Sequence, residues 1–283
     1  LNRDTLEIKD EQSITSTSVS EFIDKAKKCI ITTTGELTIG LTAFLGFSDL
    51  AELTITAGTV SLVQQCFQQV SIGAVKIKAT SGTVIFGDNS FVESQIGSLE
   101  VDSVNTITVV SQSFKLCKNM KTLRLISKEG GVNLNQAAFM QSHVENIYIE
   151  CKQLVNFVEQ SFQQVKSLKE MYVSTEREIN FQRSAFHSSA VETFVVESGS
   201  FVNFEQQSFQ QTDKLQNFTV IANSDINFKH SSFIEAAVVN ATIISKSGGI
   251  YFGNQAFQNC QNLSRIIVKA PKKIQFAIYS FVN

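Results

Sequence analysis

The chain has 283 residues, and 43% of them are hydrophobic, which is enough to build a large core and excludes a disordered protein. Its 24 Lys and Arg residues are balanced by 26 Asp and Glu residues, which excludes the basic surface of a nucleic-acid-binding protein. No apolar run approaches the roughly 18 residues of a membrane-spanning helix, so we expect no membrane insertion of this segment.

The first 30 residues differ from the rest of the chain. Residues 20–28 read as a short helix with a polar face, and Phe22 follows Glu21, where later segments place a small residue before Phe. We therefore predict an N-terminal cap with a short helix at residues 1–30, followed by a repeat domain at residues 31–283.

Beyond the cap, phenylalanine recurs every 23 to 25 residues. The residue before each of these anchor phenylalanines is Ala, Ser or Cys, and seven anchors have a second Phe five residues earlier. The eleven anchors are Phe44, Phe67, Phe91, Phe114, Phe139, Phe162, Phe186, Phe209, Phe233, Phe257 and Phe281. A fixed period of this length indicates a repeat protein, in which each repeat is one structural unit.

An apolar pattern begins five or six residues after each anchor, as in Leu50, Leu53 and Ile55. Its last three positions alternate inward, outward and inward, which is the period of a half-buried strand. A turn that often contains Gly then leads to a short second strand, such as the one with Ile179 and Phe181. Because 23 to 25 residues cannot close a core, the units must stack. The sequence therefore predicts a β-rich repeat solenoid of about twelve coils with parallel sheets.

The end of the chain carries two further signals. Pro271 is the single proline, and we expect it in a turn between strands, because Pro would delete a hydrogen bond of a parallel ladder. The chain stops two residues after Phe281, in mid-coil, with no cap over Ile274 or Phe276. We therefore expect that the protein continues or that this end is covered.

No motif in the chain carries catalytic, metal-binding or cofactor chemistry. Its five cysteines include no CxxC pair and no His at ligand spacing, so we expect no metal site. P-loop, GxGxxG, GxSxG and HExxH motifs are absent, so we expect neither an enzyme nor a cofactor. Four of the cysteines fall at positions that read as buried, and Cys151, just past a strand, is predicted to be the exposed thiol.

Asparagine occupies the position six residues before the anchor in five consecutive repeats. These residues are Asn133, Asn156, Asn180, Asn203 and Asn227. Each lies between two inward apolar residues, so its side chain should point outward from the second strand. Stacked amides can hydrogen-bond from coil to coil, so we favour a structural ladder, with a ligand-binding strip as the alternative.

The outward position of the first strand defines a candidate protein-binding face. In successive repeats it holds Glu100, Arg124, Tyr148, Tyr172 and Val195. An aromatic and apolar centre with a charged flank is typical of a protein-binding surface. The alternative is that these residues reflect β-propensity alone, since Tyr and Val favour exposed strand positions.

Residues 256–268 show the repeat in its most complete form, with Phe257 followed by Cys260 and Leu263. The unit resembles the BspA-type leucine-rich repeat family, and the resemblance covers about residues 20–283. It implies a right-handed leucine-rich-repeat coil without catalytic residues. It also implies a cell-surface or secreted protein, as in oral and gut bacteria and parasitic protists, that adheres to host proteins. Extracellular matrix proteins such as fibronectin are the best-known type of ligand for this family.

An intracellular protein-interaction scaffold of the same fold is the alternative function. The odd number of cysteines favours it, because unpaired thiols are more usual inside cells.

Overall fold

The computed structural model describes residues 4–23 and 25–282. Two parallel sheets run along this part of the chain, and each strand pairs with the strands one coil before and one coil after it. Each sheet has twelve strands within the described residues. The predicted solenoid of stacked coils with parallel sheets is therefore confirmed.

The strands, numbered in chain order, alternate between the two sheets. The front sheet contains β1 (Thr5–Lys9), β3 (Lys28–Thr32), β5 (Leu50–Ala57), β7 (Ser71–Ala79), β9 (Gln95–Ser103), β11 (Met120–Ser127), β13 (Val144–Cys151), β15 (Glu170–Thr175), β17 (Thr193–Ser198), β19 (Asn217–Ala222), β21 (Asn240–Ser245) and β23 (Arg265–Lys269). The back sheet contains β2 (Ser13–Ile14), β4 (Glu36–Ile39), β6 (Thr59–Leu62), β8 (Val84–Phe86), β10 (Ile107–Val109), β12 (Val132–Leu134), β14 (Val155–Phe157), β16 (Ile179–Phe181), β18 (Val202–Phe204), β20 (Ile226–Phe228), β22 (Ile250–Phe252) and β24 (Ile274–Phe276).

Within the described residues, the helical part of the fold lies in the N-terminal segment. Helix α1 (Ser16–Val19) leads into a 3₁₀ turn (Ser20–Phe22). The sequence predicted a helix over residues 20–28, whereas the helical residues are 16–22. A helix cannot extend to residue 28, because Lys28 is the first residue of β3 and pairs with β1 and β5. Strands β1 and β2, which the sequence pattern missed, extend both sheets into the predicted cap.

Five residues of the predicted segments lie outside the described residues. They are residues 1–3 and Asp24 of the cap at 1–30, and Asn283 of the solenoid at 31–283.

Pro271 lies between β23 and β24, as predicted. At the same end of the chain, Phe276 is 60% exposed and Phe281 is partly buried.

A stack of phenylalanine rings forms the centre of the core. The ten anchors from Phe44 to Phe257 are at most 1% exposed. Neighbouring anchor rings lie nearly parallel, with centroids 4.5 to 5.2 Å apart. A second stack, from Phe157 to Phe276, meets the first at steep angles. Each stacked pair adds about 0.5–1.5 kcal/mol beyond the burial of its area.

The corners around the anchors have left-handed backbone at regular positions. Two residues before and two after Phe162, Gln160 and Gln164 have φ of 61° and 60°, and equivalent residues in the other coils behave alike. Such backbone is unfavourable for non-glycine residues by roughly 1–2 kcal/mol. Hydrogen bonds between neighbouring coils offset this conformational cost. For example, the backbone amide of Phe162 donates to the carbonyl of Ala185 at 2.7 Å.

Candidate protein-binding face

The five residues of the predicted face lie side by side on the front sheet. Strand pairing sets Glu100 opposite Arg124, Arg124 opposite Tyr148, Tyr148 opposite Tyr172, and Tyr172 opposite Val195. They occupy adjacent strands from β9 to β17, at a strand spacing of roughly 4.8 Å. The residues on either side of them along each strand are buried, so this row faces outward.

Direct contacts join four members of this row. The rings of Tyr148 and Tyr172 stack with centroids 5.2 Å apart and planes 15° apart. The guanidinium of Arg124 lies 5.6 Å from the centroid of the Tyr148 ring, which is within cation–π range. Its Nη1 also donates to Glu100 Oε1 at 3.0 Å. The row is therefore one connected group of side chains.

Carboxylates fix the two tyrosine hydroxyls. Tyr148 Oη donates to Glu150 Oε2 at 2.6 Å, and Tyr172 Oη donates to Glu197 Oε2 at 3.3 Å. The hydrogen bond to Glu150 raises the pKa of Tyr148 to about 12, with smaller contributions from burial and charge. Each tyrosine is thus held both at its ring and at its hydroxyl, which reduces the rotamer freedom that binding would remove.

A charged cluster lies beside the tyrosines on the same sheet. Glu145 accepts hydrogen bonds from Lys121 at 2.5 Å and Lys169 at 2.8 Å, and His143 Nε2 lies 3.4 Å from it. These partners lower the pKa of Glu145 to about 2, Lys121 contributing most. An ionised carboxylate held between two ammonium groups is a poor general acid or base near neutral pH, so the cluster fits a role in ion pairing.

The outward surface of the front sheet changes character along the solenoid. Towards the N-terminus it is laced with ion pairs, such as those of Glu52 with Lys28 at 3.1 Å and Lys76 at 3.3 Å. Strands β19 and β21 instead present no charged side chain outward. Their outward residues are Asn217, Thr219, Ile221, Asn240, Thr242 and Ile244. The tyrosine pair lies between the charged and uncharged regions.

Ile221 and Ile244 extend the apolar part of the face and were missed from the sequence. They lie opposite each other, and Glu197 lies opposite Ile221 on the neighbouring strand. The face predicted from the sequence ends at Val195 and includes no residue of β19 or β21. Since strand side chains alternate with period two, the residue two positions further along the strand also faces outward, and that signal would have found them.

The asparagine column lies on the outer surface of the back sheet, with its five members in register. Asn203 Nδ2 donates to Asn180 Oδ1, and Asn227 Nδ2 donates to Asn203 Oδ1, both at 2.9 Å. Asn156 Oδ1 instead accepts from Gln182 Nε2 at 3.1 Å. Amide-to-amide bonds thus join three of the five residues, and Asn133 has none within the described residues.

All five cysteines are unpaired and buried. The prediction that Cys151 is the exposed thiol was wrong, since Cys151 is 6% exposed and its Sγ donates to the carbonyl of Gln153 at 3.1 Å. It is the last residue of β13 and continues the inward alternation of that strand, in register with buried Ser127 and Thr175. Burial raises the pKa of Cys29, Cys117 and Cys260 to about 12.

In residues 4–23 and 25–282, no group of three or more His, Cys, Asp or Glu side chains is placed to hold a metal ion. None of the helices in these ranges is long and apolar enough to cross a membrane.

Comparison with known families identifies the repeat. The family model of the BspA type leucine rich repeat region, in six copies, matches residues 12–130, 37–169, 84–216 and 132–264. The chain therefore belongs to the BspA-type leucine-rich-repeat family, and the resemblance read from its residues is confirmed. Leucine-rich repeats generally mediate protein interactions, and their family is generally non-enzymatic. No curated protein and no solved structure matches the chain.

Proposed function

We propose that the chain is a non-enzymatic adhesin, displayed at the cell surface or secreted, that binds a host or extracellular matrix protein through the front sheet. Tyr148 and Tyr172 are the anchors of the interface, with Val195, Arg124 and Glu100 beside them. Family membership supports protein binding as the general activity. Surface display, and fibronectin as the type of ligand, rest on the resemblance to surface proteins of the same family.

The observation that carries the proposal is the fixed tyrosine pair. Tyrosine offers a large contact area with few rotatable bonds, and it is enriched among the residues that dominate binding energy. Here the two rings stack and both hydroxyls have carboxylate partners. A partner would therefore meet an aromatic surface that is already ordered before it binds.

The surroundings of the pair fit an interface with two kinds of contact. On one side, Ile221 and Ile244 lie opposite each other and Val195 lies diagonal to Ile221, and all three are partly exposed apolar residues. On the other side, Arg124 and Glu100 form an ion pair that can orient a charged partner. An apolar centre with a polar edge is the usual anatomy of a protein interface.

Binding to purified matrix proteins, with fibronectin among them, tests this proposal. We expect the variant with Tyr148→Ala and Tyr172→Ala to weaken binding to the recognised protein by more than about tenfold, as the loss of two interface anchors does. The thermal midpoint should change little, because both rings lie on the outer surface. Tyr279 provides the control, since it is 62% exposed and lies after β24, outside the front sheet. If Tyr279→Ala weakens binding as much, or the double variant binds normally, the front sheet is not the interface.

An intracellular scaffold is the second candidate, and the five unpaired cysteines favour it. The same front sheet would then serve a partner inside the cell. Fractionation of the source cells, followed by detection of the protein with a specific antibody, separates the two. Recovery from the surface or medium supports the adhesin, and recovery from the cytosol with all five thiols reduced supports the scaffold.

A further inference from the structure

Positive charge is concentrated at the C-terminal end of the chain. Residues 236–283 contain no Asp or Glu but include Lys246, Arg265, Lys269, Lys272 and Lys273. Among the described residues, none of these five forms an ion pair, whereas Lys76, Arg124 and Lys169 in earlier coils each meet a carboxylate. Within the described residues, the positive charge of these coils therefore has no ion-pair partner, although the whole chain has a net charge of only −2.

Two of these cations border a shallow groove of about 280 Å³. Lys272 and Lys273 lie in the turn between β23 and β24, and this turn forms one side of the groove. Its floor is the outward row of the back sheet, where Tyr251 lies in register between Asn227 and Gln275. The groove is on a different sheet from the tyrosine pair of the front sheet.

Some polar groups of the groove have no hydrogen-bond partner among the described residues. Tyr251 is 38% exposed, and no hydrogen bond to the Gln275 amide occurs within the described residues. Asn227 Nδ2 donates a hydrogen bond to Asn203 Oδ1, and Asn227 Oδ1 has no hydrogen-bond partner among the described residues. The single acid there, Asp225, accepts a hydrogen bond from the backbone amide of Gly249 at 2.7 Å.

We propose that this groove binds an acidic polysaccharide, such as a sulfated glycan. The ammonium groups of Lys272 and Lys273 pair with sulfate or carboxylate groups. The amides of Asn227 and Gln275 hydrogen-bond to sugar hydroxyls, and the exposed ring of Tyr251 packs against the apolar face of a sugar. A plain anion site would need the lysines alone. The amides and the aromatic ring add recognition of the sugar itself.

Heparin, immobilised on a biosensor surface, is the probe for a direct test. We expect the variant with Lys272→Gln and Lys273→Gln to bind heparin roughly tenfold more weakly or worse, since each removes a charged hydrogen bond. The matched control replaces Lys78 and Lys118, which are exposed and carry the same charge, by Gln. It should bind within about twofold of the original chain, because distant surface charges are screened by salt. Equal losses in both variants would show that net charge alone matters and would overturn the proposal.

Two single substitutions separate a glycan site from general attraction of anions. Asp225→Asn keeps the oxygen that accepts from Gly249 but removes the one negative charge of the groove, so heparin should bind about two- to threefold more tightly. Tyr251→Ala should weaken heparin binding severalfold without changing its dependence on salt. If Tyr251→Ala binds normally, or double-stranded DNA or anionic vesicles compete as well as heparin, the groove does not recognise a sugar and the proposal fails.

Discussion

Tyr148 and Tyr172 are 24 residues apart in the chain, yet their rings stack on the outside of the solenoid with centroids 5.2 Å apart. Inside, Phe139 and Phe162 stack with centroids 4.8 Å apart. Both distances reflect the spacing between neighbouring strands of a parallel sheet. Aromatic residues at the same position of adjacent coils therefore stack whether they face the core or the solvent. Inside, the stack stabilises the fold, and outside it holds an aromatic surface in place.

The anchor phenylalanines should dominate the stability of the coils. Phe162 is fully buried and lies between Phe139 and Phe186, at 4.8 and 5.0 Å. We expect Phe162→Ala to lower the free energy of unfolding by about 3–5 kcal/mol, as in other large-to-small core substitutions. Chemical denaturation measures this loss. Because coils interact with their neighbours, hydrogen exchange should also show the increase in local opening around β14 and β16.

Phe276→Ala is the matched control for this experiment. Phe276 stacks on Phe252 with centroids 5.0 Å apart but is 60% exposed, so its replacement should cost much less than that of Phe162. A similar cost for both would mean that burial of the anchors does not determine stability.

The asparagine column should contribute to stability where its amides are joined. Asn203 donates to Asn180 and accepts from Asn227, both at 2.9 Å. We expect Asn203→Ala to lower the free energy of unfolding by about 1 kcal/mol, the usual net contribution of such hydrogen bonds. Asn133→Ala should change it by less than about 0.5 kcal/mol, since a surface residue without such partners matters little. If both variants are equally stable, the column is not a structural ladder, and the ligand-binding strip becomes the better explanation.

Several coils have a serine directly before the anchor phenylalanine. We predict opposite effects on stability when two of these serines are replaced by alanine. Ser161 Oγ is buried and has no hydrogen-bond partner among the described residues, whereas Ser113 Oγ donates to Val110 O at 2.6 Å. Other coils place Ala at the same position. We therefore expect Ser161→Ala to stabilise the protein by about 1 kcal/mol and Ser113→Ala to destabilise it by about as much. Denaturation midpoints measure both, and a loss of stability in Ser161→Ala would contradict this reasoning.

The sequence predicted what repeats in every coil. The period of the anchor Phe, from Phe44 to Phe281, indicated stacked coils, because only a residue in the same environment each time needs the same side chain. The row from Glu100 to Val195 followed, since a fixed period brings equivalent positions into register. Features present in one coil were not predictable in this way. Strand β1 lacks the anchor that defines a coil.

Backbone and pairing details were also beyond the pattern. The left-handed conformation of Gln160 and Gln164 is imposed by hydrogen bonds between coils, and glutamine carries no signal for it. Tyr148 hydrogen-bonds to Glu150, and Tyr172 hydrogen-bonds to Glu197. These bonds depend on side-chain rotamers, which the repeat pattern of the sequence does not specify.

The buried cysteines should make the protein less stable in alkaline solution. Burial raises the pKa of all five thiols, to about 12 for Cys29, Cys117 and Cys260. In the unfolded chain a thiol loses its proton above a pKa of about 8.5. Above that pH the unfolded state binds fewer protons than the folded state. The free energy of unfolding therefore falls as pH rises, by up to about 1.4 kcal/mol per pH unit for each thiol.

Cys66→Ala isolates the contribution of one thiol. Cys66 is fully buried in the column that holds Ala43 and Ala138 in other coils, so alanine fits its site and should alter stability at pH 7 little. Urea denaturation with a reducing agent between pH 7 and 9.5 should show a shallower loss of stability in this variant. Ionisation of tyrosine and lysine is common to both proteins and cancels in the comparison. The difference should approach about 1.4 kcal/mol per pH unit at the alkaline end, because one ionising thiol is missing from the unfolded state. An unchanged slope would mean that Cys66 ionises as readily in the folded protein as in the unfolded chain, which its burial among apolar side chains should prevent.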